Sequence, residues 1–289
     1  SVSRGLGDVY KRQEFGLTGG LQSLDEREIA LWKSKVQVGN AYINRVITGA
    51  IVRRQPFGGW KHSSMGPGSK AGGPNYLTLL GRWSEKELPQ KLRTPGERIA
   101  GLVEKLCSEL PDCAKRIRSA AGSQAKWWME EFGVEHDPSR IYGENNTFRY
   151  VPVKGILVRT EGMADDDVAI LLLGAKLCGV ELHLSVEEGR PWIQKMNGYY
   201  ASLAVETEPS LIDRLPEIAG GVQFLRAKGI SNALFDAARA RELEVLDRPV
   251  LANGRLELLG FFREQAVSET VHRYGNIIPP PDSFKGATA

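Results

Sequence analysis

Apolar residues recur along this chain at two periods, and the change of period divides it. Ile29, Leu31, Trp32 and Val36 fall on a helical spacing. Ser23 stands three residues before Glu26, an arrangement in which two side chains satisfy free N–H groups at a helix start. The pattern predicts a helix from there to about Lys35, stopped by Gly39-Asn40, and then a short strand at Asn40–Ile43. Gly58 to Gly73 is glycine-dense, a composition suited to special backbone angles and not to a core. Asn75 to Trp83 predicts a strand placed to pair at an oligomer interface. A second helix start is written at Thr94-Pro95-Gly96-Glu97, with Thr94 as cap and proline in the first turn. Ile99, Leu102, Val103, Leu106 and Leu110 then line one helical face. Pro111 breaks the run, and helical text continues to about Phe132.

From Tyr150 onward the pattern alternates strand and helix. Strands are predicted at Gly155–Arg159, Glu181–Leu184, Val222–Leu225, Leu243–Leu246 and Val267–His272. Helices are predicted at Asp165–Cys178, near Ala233–Arg241, and from about Arg255 to Gln265. Strand–helix–strand units at this spacing imply right-handed crossovers and a mainly parallel sheet, hence an α/β fold. The longest apolar run, Val168 to Val180, contains Lys176 and is too short to span a bilayer, so it reads as a buried helix. Pro279-Pro280-Pro281 ends the fold, with a loose tail after it.

Composition narrows the class of function. The chain has 289 residues and a net charge of +3, of which Arg4, Lys11 and Arg12 against Asp8 supply two. That balance gives no electrostatic footprint for nucleic acid. Three cysteines, Cys107, Cys113 and Cys178, without CxxC spacing, argue against a disulfide framework and against zinc. Residues 1–13 read as a sequencing or library scar, with native sequence expected from about Glu14.

Several features have a chemical reading and a plainer one. Gly66 to Gly73 suggests a phosphate loop, but Pro74 stands where the lysine would be, and no GxGxxG occurs. Asp165-Asp166-Asp167 complements a helix dipole better than it makes a metal site. The four histidines are scattered and read as surface or satisfied core residues. No cysteine sits in a loop suited to a nucleophile, so no catalytic residue is expected in this chain. Lys61 reads as a solvated or loop-pinning lysine.

The stretch Thr48-Gly49-Ala50-Ile51-Val52-Arg53-Arg54-Gln55-Pro56-Phe57-Gly58-Gly59-Trp60-Lys61 carries the strongest signal. A substrate carboxylate needs free donors converging on it. Gly49 lets consecutive N–H groups face one point, Thr48 adds a hydroxyl, and Phe57 offers a flat apolar wall for an aliphatic chain. The plain alternative is a glycine-rich surface turn followed by a hairpin. The order of these residues resembles the substrate-anchor loop of the aldehyde dehydrogenases. Gly66-Pro67-Gly68-Ser69-Lys70-Ala71-Gly72-Gly73-Pro74-Asn75-Tyr76-Leu77 narrows the resemblance to the L-glutamate γ-semialdehyde dehydrogenase part of the proline utilization A family. Ser63-Ser64, where the wider family has Ser-Gly, fits one branch of that narrower group.

The resemblance implies that Gly49 and Ala50 bind the α-carboxylate and that Phe57 packs on the carbon chain. Ala50 stands where many relatives have serine, so a hydroxyl contact is lost while the backbone contact survives. Gly143 to Tyr150 and Asp247 to Asn276 are similar, less specifically, to the family's C-terminal extension, which closes a cavity and has no known catalysis. The expected organisation follows: residues 14–83 as the tail of an aldehyde dehydrogenase catalytic domain, 84–140 as a helical connector, 141–276 as a Rossmann-like, mainly parallel α/β domain, and 277–289 as tail. The resemblance further implies glutamate γ-semialdehyde as small-molecule substrate. It implies NAD bound by a part upstream, FAD in a further proline dehydrogenase domain, and a homo-oligomeric cytoplasmic enzyme, peripheral to the inner membrane when complete. Two alternatives stay open: a stand-alone, non-catalytic module acting in assembly or cavity closure, and a dehydrogenase acting on another acidic aldehyde.

Overall fold

Short strands and one helix open the chain: β1 (Phe15–Gly16), β2 (Thr18–Leu21), α1 (Glu26–Lys35), β3 (Asn40–Ile43) and β4 (Trp60–Lys61). A computed structural model describes residues 13–64, 68–187, 190–273 and 276–277. The expected scar up to residue 12, the Gly66-Pro67 text, Tyr274-Gly275 and the tail from 278 lie outside the described residues. Two helices follow, α2 (Glu97–Glu109) and α3 (Ala114–Trp127), the latter running into a π-turn at Trp128–Phe132. Then come β5 (Glu144–Pro152), β6 (Gly155–Arg159), α4 (Asp165–Cys178), β7 (Glu181–Val186), α5 (Pro191–Lys195) and β8 (Ser202–Val205). The chain continues through α6 (Glu208–Ile218), β9 (Phe224–Arg226), α7 (Asn232–Ala240), β10 (Glu244–Leu246), α8 (Gly254–Glu257) and β11 (Phe262–Thr270). Two short strands, β12 (His272–Arg273) and β13 (Asn276–Ile277), pair antiparallel after it.

The residues form two compact units. One holds residues 1–80, 135–151 and 263–289; the other holds 81–134 and 152–262. The expected boundary near residue 84 lies close to the division at Gly81. The expected continuous domain over 141–276 is a different matter. Residues 144–151 and 263–270 belong to the first unit, because β5 and β11 pair into one sheet with β2 and β3, in the order β2-β3-β11-β5. Residues 84–134, expected as a connector, are helices built into the second unit.

In the first unit, β3 is buried along its whole length and pairs parallel to both β2 and β11. Val36, Val38, Ala41, Ile43 and Val267 form its core, with Ile29 and Trp32 of α1 packed against them. Helix α1 begins at Asp25, which accepts the Arg27 N–H at 2.8 Å; Ser23, the expected cap, instead donates to Glu28 at 2.7 Å. Asp25 is nearer the helix, and its carboxylate suits the positive end of the dipole. The strand expected at Asn75–Trp83 is absent: Tyr76–Leu80 is a 3₁₀ turn. Its cause is Asn75, whose buried side chain is fixed from below and whose carbonyl accepts the Thr78 N–H and hydroxyl.

In the second unit, β6 to β10 form a five-stranded sheet in the order β10-β9-β6-β7-β8, every pairing parallel. Leu157, Leu211, Leu215, Val222, Leu225 and Leu234 form the core on one of its sides. Helix α4 is buried from Asp167 to Ala175, in line with its unbroken apolar text, and ends at Gly179 in the left-handed conformation. The face predicted on α2 is buried at Ile99, Leu102, Val103 and Leu106. Its cap, however, is Gly96 without a side-chain bond, so Thr94 lies before the helix. The helix expected at Arg255–Gln265 is one α-turn to Glu257 continued by a 3₁₀ turn at Leu258–Phe261, and Phe262–Thr270 is extended. Arg263-Glu264-Gln265-Ala266 favours helix by intrinsic preference. Pairing of residues 266–269 with β3 overrides that preference. The strand predicted at Val267–His272 therefore starts earlier, at Phe262.

Candidate functional site

The anchor stretch begins where β3 ends. Asn44 adopts φ +55°, turning the chain, and its side chain accepts the Ser23 N–H at 3.0 Å. Residues 46–53 then run exposed to solvent. Tyr42, buried in β3, donates its hydroxyl to the Gly49 carbonyl at 2.7 Å. Gly49 has φ +135°, a conformation side chains rarely accept. The N–H groups of Thr48, Gly49 and Ala50 take no protein acceptor among the described residues. They are free to serve an anion.

Beyond this turn the chain folds back tightly. Ile51 and Gln55 exchange both backbone bonds, at 3.1 and 2.7 Å, across a turn in which Arg53 has φ +65°. Gln55 is buried beneath the loop, and with its amide turned so that the oxygen faces Arg45, as the hydrogen bonding requires, it accepts both terminal nitrogens of Arg45 at 3.0 and 3.1 Å. Arg45 also lies 3.7 Å from Glu144, whose carboxylate takes the Arg54 Nε at 3.0 Å. Burial would raise the Glu144 pKa, but hydrogen bonds from Arg54 and Asn146 outweigh it and hold the carboxyl below its ordinary range. Phe57, half-buried, exchanges both backbone bonds with Ala71, at 3.0 and 2.9 Å.

Under that rung lies a buried polar layer. Lys70 is fully buried, and its ammonium donates to the Gly58 carbonyl and to Asn40 Oδ1. The carboxylate of Glu264 accepts the Lys70 backbone N–H at 2.8 Å and the Asn75 amide at 2.7 Å. Asn75 also reaches Tyr150 Oη at 2.9 Å, and Trp60 Nε1 donates to the Glu264 carbonyl at 2.8 Å. Burial lowers the Lys70 pKa to about 7 and raises that of Glu264. The sequence includes Trp60, Lys70 and Asn75 in the stretches that carry the resemblance but gives none of them this role. Lys70 is legible there as part of a failed phosphate loop and of the stretch that carries the resemblance, and Glu264 reads as a helix residue.

The four expected site residues thus stand on one loop system. Thr48, Gly49 and Ala50 lie on its exposed turn, and Phe57 on its anchored rung. Other candidates are occupied structurally. Lys61 donates to the Gln13 carbonyl at 2.7 Å. Arg116 binds Asp166 and Asp167, and Arg190 binds Asp165, so the acidic cluster is ion-paired at its helix start. His183 Nδ1 meets Ser202 Oγ at 2.8 Å. Cys107 and Cys178 are buried, and burial pushes both thiols up, away from the thiolate form. No helix among the described residues is long and apolar enough to cross a membrane.

Residues 9–81 match the model of the aldehyde dehydrogenase family. Over 72 residues the chain is 49% identical to 1-pyrroline-5-carboxylate dehydrogenase 2 of Bacillus subtilis, covering 25% of this chain and 14% of that protein. It is 47% identical over 72 residues to 1-pyrroline-5-carboxylate dehydrogenase 1 of Halalkalibacterium halodurans, with the same coverage. Among solved structures, proline utilization A (PutA) from Corynebacterium freiburgense matches with a TM-score of 0.71 and 39% identity, over 96% of this chain and 25% of that one. The chain therefore spans about a seventh of the length of the curated relatives and a quarter of that structure. Over residues 9–81 the chain is thus similar to a segment of the aldehyde dehydrogenases.

Proposed function

We propose that this chain supplies the substrate-carboxylate anchor of an NAD-dependent L-glutamate γ-semialdehyde dehydrogenase of proline catabolism, in an enzyme that also carries a proline dehydrogenase. The observation that carries the reading is the open turn at Thr48-Gly49-Ala50 with Phe57 fixed on the same loop. Free amides suit a carboxylate, and the ring suits the aliphatic chain between carboxylate and aldehyde. Similarity to 1-pyrroline-5-carboxylate dehydrogenases over this segment, and to proline utilization A over the whole chain, supports the substrate class and the bifunctional setting. Holding the carboxylate at a fixed point places the aldehyde carbon at a fixed reach, which is positioning catalysis.

NAD would accept the hydride in such an enzyme, but the residues here do not fit it. In a parallel sheet of this kind a dinucleotide pyrophosphate needs a helix N-terminus free of negative charge. The helix that follows β6, the central strand, starts with Asp165, Asp166 and Asp167 instead. On the same reading, NAD and FAD are held by other parts of the complete enzyme. That enzyme is a homo-oligomer of the cytoplasm, peripheral to the inner membrane. Residues 48–57 bind and orient the substrate, and residues 152–262 form a non-catalytic module.

The test is an assay of the dehydrogenase that contains this chain. NAD reduction with glutamate γ-semialdehyde should far exceed that with an uncharged aldehyde of equal length. Residues 14–289 alone should show none. Equal use of both aldehydes would remove the anchor reading.

A further inference from the structure

We propose that Glu264 is a positioning residue for the substrate: it holds the Phe57 rung of the anchor loop through Lys70 and Trp60. The inference rests on the anchor reading above. Its starting point is an unusual investment of polar groups. Glu264 is 5% exposed and Lys70 and Asn75 are fully buried, yet all belong to strands and turns with apolar cores nearby. A buried carboxylate is costly unless its oxygens are bonded. Here both are: one takes the Lys70 amide and the other the Asn75 side chain.

The geometry shows what that bonding controls. The carboxylate takes the backbone N–H of Lys70, not its ammonium, so it fixes the main chain of residue 70. The next residue, Ala71, makes the two-way backbone rung with Phe57. The Lys70 ammonium reaches the other flank of that rung, at the Gly58 carbonyl. Trp60, a little further along the chain, is tied to the Glu264 carbonyl. Phe57 is thus fixed at its partner, at its following residue, and again at Trp60, and each tie leads to Glu264 directly or through one residue. A neutral side chain of the same shape keeps one acceptor oxygen where two are used. The rung should then loosen without loss of the surrounding apolar core.

Glu264→Gln and Glu264→Ala would be measured in the dehydrogenase that contains this chain. Two readouts are needed. Hydrogen exchange at the Phe57 and Ala71 amides reports the rung itself. KM and kcat for glutamate γ-semialdehyde and for propanal report its consequence, because propanal has no carboxylate or long chain to be positioned. Glu264→Gln should speed exchange at both amides and raise KM for the semialdehyde by about tenfold, with kcat and the propanal KM changed less than about twofold. Glu264→Ala should do more of the same, and Glu264→Asp, which keeps both acceptors, should recover part of the loss. Unchanged exchange at Phe57 and Ala71 in Glu264→Gln would overturn the proposal, as would an equal rise of KM for both aldehydes. If the unaltered enzyme does not oxidise the semialdehyde at all, the anchor reading fails; the exchange arm still decides whether Glu264 holds the rung.

Discussion

The side-chain amide of Gln55 stands 2.6 Å from the point where a Cβ on Gly49 would lie. Gln55 cannot move aside without cost, since Arg45 grips its oxygen and Glu144 lies beside Arg45. A side chain at Gly49 therefore displaces the Gln55 amide from Arg45 and must also adopt a φ of +135°. Gly49→Ala should cost about 1–3 kcal/mol of local strain, confined to an exposed turn. The enzyme should keep its melting temperature to within a few degrees, while KM for the semialdehyde rises and KM for an uncharged aldehyde does not. A variant with unchanged semialdehyde KM would show that the turn does not bind the carboxylate.

Phe57 offers a cleaner subtraction. Its backbone makes the rung with Ala71, so its ring can be removed without losing those bonds. Phe57→Ala should weaken semialdehyde binding by about 1.5–3 kcal/mol, the range for burying such a side chain, which is about 10- to 150-fold in KM. Steady-state kinetics along a series of aldehyde acids of increasing chain length would check this. The loss should grow with the number of methylenes that face the ring.

Lys70 links stability to pH. Burial sets its native pKa at about 7, against an ordinary value of 10.5. Between those values the unfolded chain holds more protons than the native one, so stability rises with pH across this window. Well inside it, the gain is about 1.4 kcal/mol per pH unit. Denaturant unfolding at pH 7.5 and 9.5 should show the rise in the unaltered chain and not in Lys70→Met. The variant should also be the less stable at pH 9.5, because the Gly58 carbonyl and Asn40 Oδ1 lose their donor.

In the second unit the sharpest steric test is Gly254. A Cβ there would lie 2.6 Å from both N and Cα of Gln124, which are backbone and cannot rotate away. Gly254→Ala should destabilise by about 1–3 kcal/mol through overpacking. Thermal unfolding followed by circular dichroism would register it. An unaltered melting temperature would mean that helix α3 and the turn at Gly254 are not packed this closely.

Much of the second unit is readable from the chain alone. The apolar run at Gly155–Arg159, the strand expected at Glu181–Leu184, which extends to Val186, and the apolar helix at Asp165–Cys178 all keep their predicted type, because length and apolar content agree there with what a buried parallel strand or a buried helix needs. Segments with mixed signals mislead. Arg263-Glu264-Gln265-Ala266 favours helix locally, and Asn75–Trp83 has the apolar content of a strand. Their outcomes depend on partners 189 or more residues away, in Glu264 for Asn75 and in β3 for residues 266–269.

The same division applies to the site. The proposed anchor residues Thr48, Gly49, Ala50 and Phe57 can be nominated from sequence, because the φ that Gly49 adopts is a local property of glycine and because their order resembles a known loop. Glu264, Gln55 and the buried ammonium of Lys70 cannot, because their roles come from burial. A carboxylate or a lysine written in a sequence reads as solvated, and only tertiary packing removes the water and makes its hydrogen bonds decide where the loop stands.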